Sequence, residues 1–261
     1  MRFARVRVGG VPRFCHVDGE QLYLLGEGEP ERAERTGERV AIGDVEFLAP
    51  VEPTKILAVL GAFRFGREPE VARQTSPKFT SKLITSVNAH GCSIIKPFDM
   101  PNTLDGEAEL GVVLGRDVRR VSPEGARDAI LGFTCVNDMT LTDQGVEDMD
   151  FMRAKSVDTF ASFGPWIDTD VSPDQVREGL VISGSVNGVP SQLGNTADYT
   201  WDVLETISWA SQLFTLRRFD LIALGTPVPV SRVDVGDVMT VTVEGVGTLI
   251  NKIAREELIA S

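Results

Sequence analysis

Two glutamates stand one residue apart in a stretch that otherwise reads as a buried strand, GEAELGVVL over residues 106–114. Side chains alternate between the faces of a strand, so Glu107 and Glu109 point the same way, roughly 6–7 Å apart. Two carboxylates that lead into an apolar run need a cation between them, and a hard cation such as Mg²⁺ prefers such oxygen ligands. Asp138 follows a second apolar run, 131–136, and completes the site if the two strands pair. Spacing alone also fits the solvated face of an edge strand.

The other chemistry-bearing residue types are sparse. The chain has two histidines, His16 and His90, which excludes a histidine-rich zinc site. Its three cysteines, Cys15, Cys92 and Cys135, are too scattered for a disulfide framework or a CxxC metal pair and are typical of buried thiols in a reducing cytoplasm. The sequence lacks G-x-G-x-x-G, Walker A, G-x-S-x-G and H-E-x-x-H motifs, which argues against dinucleotide enzymes, P-loop NTPases, serine hydrolases and zinc proteases.

Length, composition and charge narrow the class further. The 261 residues, 42% hydrophobic and 25% charged, fit a globular protein of one large domain, alone or with a small appendage. No apolar run reaches the ~18 residues of a membrane helix, and no cleavable leader opens the chain. The net charge of -12 argues against a nucleic-acid surface. We therefore expect a cytoplasmic protein with a small-molecule substrate and neither a membrane nor a nucleic-acid partner.

The first fifty residues predict a small β module. Short strands are expected at 2–8, 13–17, 21–25 and 45–49, with a surface loop over the glycine- and charge-rich residues 26–40. Pro50 and Pro53 follow, and we place a boundary near residue 52. The domain prediction is a β module over 1–52 and a catalytic domain over 53–261.

The remainder also predicts more strand than helix. Further strands are expected at 55–60, 107–114, 131–136, 180–186, 221–224, 238–243 and 248–253. Asn187-Gly188 is a strong hairpin signal. Ser122 and Ser172, each followed by proline, predict helix starts, and residues 200–214 carry apolar side chains at roughly helical spacing.

Several segments, in order and at matching spacing from about residue 55 to 253, resemble the fumarylacetoacetate hydrolase family. They are EAELGVVLG (107–115), GFTCVND (132–138), KSVDTF (155–160), GPW (164–166), Asn187-Gly188, Gln192, Asn195-Thr196, LGTP (224–227), VGDV (235–238), EGVG (244–247) and Asn251. The resemblance implies a mainly β fold with some α, in which a rolled mixed β-sheet core carries the small N-terminal β module of bacterial members. It also implies a homodimer.

The same resemblance implies the chemistry. Glu107, Glu109 and Asp138 would hold Mg²⁺ or Mn²⁺, with Lys155 beside the metal. Substrates of the family are 2-oxo acids and acylpyruvates, and the cation stabilises an enolate during C–C bond hydrolysis, decarboxylation or isomerisation. Two further positions match residues that usually meet the polar end of the substrate, namely Gln144 and Thr226.

Two departures from the family pattern fall on substrate contacts. Within residues 61–70, GAFRFGREPE, Arg67 stands where the family has a lid histidine, while Glu70 keeps the position of its glutamate partner. Arginine stays protonated and cannot serve as a base. Thr142 stands where an arginine is usual. We expect residues 62–74 to form a mobile lid, with Arg67 binding an anionic group of the substrate.

Three interpretations remain. In the first, the enzyme is active with altered chemistry: Glu70 or a metal-bound water acts as the base, and Arg67 or Arg218 binds the substrate anion. In the second, His90 replaces the missing histidine. In the third, catalysis is lost and the protein is a binding or partner subunit. We favour the first, because an idle carboxylate cluster would be costly to bury.

Overall fold

The computed structural model describes residues 1–73, 76–98 and 103–257, so Gln74, at the end of the predicted lid, lies outside the described residues. The described strands are β1 (Arg2–Val8), β2 (Val11–Asp18), β3 (Gln21–Leu25), β4 (Arg35–Ala41), β5 (Glu46–Leu48), β6 (Ile56–Leu60), β7 (Lys78–Lys82), β8 (Val87–Asn88), β9 (Ile94–Lys96), β10 (Leu104–Leu114), β11 (Ile130–Leu141), β12 (Ala161–Asp168), β13 (Val181–Val186), β14 (Val189–Asn195), β15 (Leu221–Ala223), β16 (Ser231–Val233), β17 (Val238–Val243) and β18 (Gly247–Arg255). The helices are α1 (Pro69–Ala72), α2 (Pro123–Arg127), α3 (Thr142–Asp148), α4 (Met152–Lys155), α5 (Pro173–Glu178) and α6 (Val203–Leu213).

The strands form two mixed sheets. The larger runs β4-β3-β2-β1-β12-β11-β10-β15-β6-β7, with β16 beside β10, β5 beside β1 and β8 beside β12. Most of its pairs are antiparallel, and β15 and β6 are parallel. The smaller sheet runs β14-β13-β17-β18-β9. This architecture confirms the predicted mainly β class with a mixed sheet.

The N-terminal strands continue the larger sheet, because β1 pairs with β2 on one side and with β12 on the other. The expectation of a loop over 26–40 is wrong for β4, which pairs with β3 at the sheet edge. Its first five residues are exposed, so the strand carries none of the alternation by which a half-buried strand is recognised. The domain boundary near residue 52 stays a prediction.

The strands β10 and β11 form the centre of the molecule. They pair along their whole length, and only three of their twenty-three residues are less than fully buried. A strand covered on both faces reads as a continuous apolar run, which is the pattern of residues 110–114 and 131–136. The polar ends of both strands carry the three candidate carboxylates, of which Glu109 and Asp138 are buried and Glu107 is partly buried.

Local signals behave as predicted at the helix starts and the hairpin. The Ser122 hydroxyl accepts a hydrogen bond from the Gly125 amide at the start of α2, and Ser172 forms a capping box with Gln175 at the start of α5. Asn187 adopts a φ of 52° in the turn that joins β13 to β14. Within the described part of the chain, no helix has the length and apolar character required to cross a membrane.

Candidate metal centre

Sheet register brings the three predicted carboxylates together. In the antiparallel pair of β10 and β11, Glu107 lies opposite Asp138 and Glu109 lies opposite Val136. Directly opposed residues share a face, and Glu109 shares that face by strand alternation. One oxygen from each of the three carboxylates lies within 4.8 Å of the others. This spacing brings the three carboxylates within reach of one ion, and their role as metal ligands stays a prediction.

The predicted lysine, Lys155, binds two of these carboxylates. It ends α4, and its Nζ donates to Asp138 Oδ2 at 2.7 Å and to Glu107 Oε2 at 2.9 Å. Thr140 extends the network, since it accepts from Lys155 at 2.7 Å and donates to Glu107 Oε1 at 2.8 Å. Lys155 is buried, so the contacts hold its ammonium group in one place.

Sequence reasoning missed a second lysine. Lys82 on β7 has a side chain that is 1% exposed, and its Nζ donates to Asp138 Oδ1 and to the Met139 carbonyl, the latter at 3.1 Å. A lysine is almost never fully buried unless it is paired. The segment KFTSK (78–82) mixes polar and apolar residues. It therefore does not show which of its two lysines is buried, or which of the 38 acidic residues that lysine meets.

Charge balance within the cluster is uneven. Burial acts to raise the pKa of Asp138, but the charges of Lys155 and Lys82 outweigh that effect. The pKa of Asp138 is therefore lowered. Burial lowers the pKa of Lys82, and its ion pair with Asp138 opposes that effect. The pKa of Lys155 is raised, because Asp138 and Glu107 together outweigh its burial. Three carboxylates therefore face two lysines.

Glu109 is the carboxylate without a cation of its own. Its Oε2 accepts from the Gly225 amide at 2.7 Å, and among the described residues no lysine or arginine forms an ion pair with it. Burial, followed by the charges of Asp138 and Glu107, raises its pKa well above the usual range. Burial also raises the pKa of Glu107. Three converging oxygen ligands, one of which has no ion-pair partner among the described residues, fit a divalent cation.

Thr226, one of the two residues predicted to meet the polar end of the substrate, lies beside the carboxylate cluster. Thr226 follows Gly225, donates to the Ala108 carbonyl at 3.1 Å and accepts from Gln192 Nε2 at 2.8 Å. Gln144 is buried in α3, and its amide donates to Asp148 Oδ1 at 2.9 Å.

The predicted lid residues lie on an exposed segment between β6 and β7. Arg67 and Glu70 are both exposed, Glu70 in the first turn of α1. The Arg67 guanidinium donates through Nε to the Arg64 carbonyl at 3.1 Å. Arg64, on the same segment, pairs with Asp198 at 3.2 Å.

The remaining sequence candidates are held elsewhere. His90 accepts from the Ile250 amide at 3.2 Å and packs edge-on against Phe47, with ring centres 5.2 Å apart, and it is no member of the carboxylate cluster. Arg218 donates to Glu29, to Glu31 at 2.9 Å and to the Gly115 carbonyl at 2.7 Å. His90 is thus engaged in packing and Arg218 in ion pairs, and the interpretations that give either residue a role in catalysis or substrate binding stay predictions.

Thr142, at the position where an arginine was expected, donates its hydroxyl to Asp105. Arg232 donates to the other oxygen of that carboxylate at 2.8 Å. Both oxygens of Asp105 are thus engaged, and this buried acid is not a member of the group of three converging carboxylates.

Comparison with known proteins assigns nearly the whole chain. Residues 56–254 match the family described as fumarylacetoacetate (FAA) hydrolase C-terminal, and residues 1–50 match the one described as Rv2993c-like, N-terminal. The chain is 31% identical over 280 residues to a 4-hydroxyphenylacetate degradation bifunctional isomerase/decarboxylase of Salmonella dublin, covering 98% of this chain and 64% of that protein. It is 29% identical to the oxaloacetate tautomerase YisK of Bacillus subtilis, covering 92% of this chain and 85% of that protein.

A solved structure agrees with this assignment. The crystal structure of 5-carboxymethyl-2-hydroxymuconate delta-isomerase from Mycobacterium smegmatis superimposes with a TM-score of 0.89 at 32% identity, covering 98% of this chain and 100% of that chain. Together these similarities make the chain an enzyme of the isomerase, decarboxylase or hydrolase kind.

Proposed function

This chain belongs to the fumarylacetoacetate hydrolase family, and we propose that it is a divalent-metal-dependent enzyme that acts on a 2-oxo acid or an acylpyruvate. The observation that carries the proposal is Glu109. A buried carboxylate with a raised pKa and no cationic partner in the described residues, beside two further carboxylate oxygens, is costly unless a cation joins it.

Glu107, Glu109 and Asp138 would hold the ion, and Mg²⁺ or Mn²⁺ suits a site made only of carboxylate oxygens. Such an ion, when bound, supplies Lewis-acid polarisation of the 2-oxo group and stabilises the negative charge that develops beside it.

The two lysines fix the geometry of the ligands. Each oxygen of Asp138 accepts from a different ammonium group, one from Lys82 and one from Lys155, so its carboxylate cannot rotate. Lys155 also holds Glu107. Because its neighbours raise the pKa of Lys155, the ammonium stays protonated and contributes positive charge instead of accepting a proton.

Glu70 is our proposed base and Arg67 our proposed ligand for a substrate carboxylate. A planar guanidinium matches a carboxylate and keeps its charge at every working pH. Thr226 and Gln144 would meet the polar end of the substrate. Because arginine cannot activate water, we place isomerisation and decarboxylation ahead of hydrolysis.

The test is a substrate panel with and without metal. Protein stripped with a chelator is assayed with oxaloacetate, acylpyruvates and muconate-type oxo acids, then again after addition of Mg²⁺ or Mn²⁺, with identification of the products. We expect turnover of at least one acid that disappears on chelation and returns with the ion. Turnover that is indifferent to chelation would contradict the metal dependence.

We also propose that the protein forms a homodimer. Three exposed apolar side chains lie close together in sequence, on α3, in the turn that follows it and on α4: Val146, Met149 and Met152 are 70%, 94% and 50% exposed. Contiguous exposed apolar surface on a globular protein marks an interaction site. Light scattering at micromolar concentration should give twice the chain mass of 28.4 kDa, and a species of the single-chain mass alone would refute the dimer.

A further inference from the structure

Tyr199 is a buried tyrosine that lies near the carboxylate cluster. The residue is 7% exposed, and its hydroxyl has no hydrogen-bond partner among the residues that the structure describes. Buried polar groups are almost always hydrogen-bonded, because a donor that loses water and gains no partner destabilises the folded state. The hydroxyl of Tyr199 therefore indicates a partner from outside the protein chain.

Two contacts hold Tyr199 against the first residues of the predicted lid. Tyr199 pairs with Phe63 in an isolated antiparallel bridge, and the amide of the next residue, Thr200, donates to the Ala62 carbonyl at 2.7 Å. The rings of Tyr199 and Phe63 pack edge-on, with their centres 4.8 Å apart. Backbone and ring are both fixed, so the hydroxyl cannot move to an acceptor elsewhere.

These lid residues also lie against the loop that contacts Glu109. Glu109 accepts from the Gly225 amide at 2.7 Å, and a Cβ atom at Gly225 would overlap the Cβ of Ala62. Burial and then the negative charge of Glu109 raise the pKa of Tyr199 well above its usual range, and the Leu110 amide has the opposite effect. Glu109 is thus the charged group that acts most strongly on the Tyr199 hydroxyl.

One bridging water completes this arrangement. A polar interaction without a direct hydrogen bond is the geometry that a single ordered water satisfies. The phenol supplies a donor, and Glu109 has acceptor sites to spare, because a carboxylate offers about four and the Gly225 amide uses one. A water between the two satisfies the Tyr199 hydroxyl and gives Glu109 a second hydrogen bond.

We propose that Tyr199 is a positioning residue for the metal centre: its hydroxyl donates to one buried water, which donates to Glu109 and holds that carboxylate toward the ion. The other two carboxylates already have charged partners, since Lys155 binds Glu107 and both lysines bind Asp138. Tyr199 positions the third carboxylate without a positive charge that would compete with the ion. The inference rests on the proposed function, because the ion is the metal of that function.

The experiment measures the affinity of the full chain for Mn²⁺ alone by titration calorimetry. Tyr199→Phe keeps the ring that packs against Phe63 and removes the hydroxyl. The matched control is Tyr23→Phe, at the other of the two tyrosines of the chain, which lies on β3 beneath the guanidinium of Arg35. We expect Tyr199→Phe to weaken Mn²⁺ binding roughly tenfold or more, as the loss of a partner of a metal ligand does, and Tyr23→Phe to leave it unchanged.

A second measurement detects the contact without metal. Because the chain has two tyrosines, labelling with 3-fluorotyrosine gives two ¹⁹F resonances, which the two phenylalanine variants assign. In metal-free protein, Glu109→Gln should displace the Tyr199 resonance, because a neutral amide replaces the charged acceptor, and should leave the Tyr23 resonance in place. A tyrosine that serves only to pack against Phe63 would not respond to this change.

The outcomes separate this proposal from the one on which it rests. Unchanged Mn²⁺ affinity in Tyr199→Phe, an equal loss in Tyr23→Phe, or a Tyr199 resonance that ignores Glu109→Gln would overturn the positioning role. If that resonance responds while the parent protein binds no Mn²⁺, the contact with Glu109 stands and the metal-dependent function fails. If the parent and Tyr199→Phe bind Mn²⁺ equally, the function stands and the positioning role fails.

Discussion

Glu107, Glu109 and Asp138 lie on two paired central strands and are almost sealed from solvent, whereas Arg67 and Glu70 lie on a short exposed segment between β6 and β7. In the first region, strand register decides which side chains meet. In the second, one hydrogen bond from Arg67 to a neighbouring carbonyl is the contact that positions its side chain.

This difference between the two regions indicates where each kind of functional group can be located. Groups that must hold one geometry are built into the strands, where every ligand has a fixed partner. Groups that must admit and release a substrate lie on loops, where contacts are few and residue identity can change without altering the fold. The family resemblance predicts a lid histidine at the position of Arg67, which lies in the second region, and metal ligands at the three carboxylates of the first.

The largest effect is expected from Glu109→Gln, which tests whether the central region serves metal binding or folding. Loss of one electrostatic group in an active site costs roughly 10²–10³-fold in rate, and loss of an entire cation should reach at least about 10³-fold in kcat/KM. The variant keeps the volume and the acceptor for the Gly225 amide. Without metal, it should unfold at the same temperature as the parent or higher, because an uncompensated buried charge is gone.

The matched control is Glu124→Gln, an exposed glutamate in the first turn of α2. Its activity should equal that of the parent. If Glu109→Gln unfolds at a clearly lower temperature than the metal-free parent protein, the Glu109 carboxylate stabilises the fold. The result would contradict the interpretation that this carboxylate is kept for metal binding.

The second effect is expected from Lys82→Met, which removes one of the two ammonium groups on Asp138. Removal of one partner from a buried ion pair costs roughly 3 kcal/mol in the free energy of unfolding, equivalent to about 6–12 °C in Tm for a chain of this size. Lys78→Gln, on the same strand and exposed, should shift Tm by about 1 °C or less. Equal shifts in the two variants would mean that Asp138 does not depend on Lys82.

Glu109 and Lys82 also show what the sequence can and cannot predict about the site. Glu107 and Glu109 alternate in a strand pattern and Asp138 follows a second one, so pairing of the strands places all three on one face. Lys155 was found through the family motif KSVDTF. Lys82 meets Asp138 across 56 residues of sequence and on a different pair of strands, and no local pattern carries such a contact.

Secondary-structure elements are likewise predictable where their signals are local in sequence. Helix starts at Ser122 and Ser172 and the turn at Asn187 were predicted, because their signals lie within a few residues. The edge strand β4 was missed, since its stability comes from the neighbouring β3 and from no apolar periodicity of its own.

A third, smaller effect is expected in the exposed region. Arg67→Ala should raise KM for a carboxylate substrate by up to about tenfold, since a hydrogen bond to a charged group is worth roughly 1.5–3 kcal/mol, while kcat changes little. Arg73→Ala provides the control on the same segment. Arg73 binds both oxygens of Glu205 on α6, at 2.8 and 2.9 Å, so its loss removes a surface ion pair and should leave KM unchanged. Identical kinetics for Arg67→Ala and the parent would show that the exposed segment takes no part in substrate binding.

The smallest effect concerns His90, which the structure assigns to packing. Burial lowers the pKa of this imidazole below its usual 6.5. Its Nδ1 accepts from the Ile250 amide, and a protonated ring has no acceptor to offer. The folded state therefore binds fewer protons than the unfolded state between the lowered pKa and 6.5. The stability that the neutral ring contributes is complete above pH 6.5 and is lost as the pH falls through the folded pKa.

Asparagine keeps an acceptor near the Nδ1 position and does not titrate. The difference in Tm between parent and His90→Asn should therefore shift by about 1–2 °C in favour of the variant from pH 7.5 to pH 5. At pH 7.5 kcat/KM should be the same in both, because His90 contacts Phe47 and Ile250 and none of the three carboxylates. A drop of tenfold or more in kcat/KM with Tm unchanged would return His90 to the catalytic candidates, as the base that Arg67 cannot be.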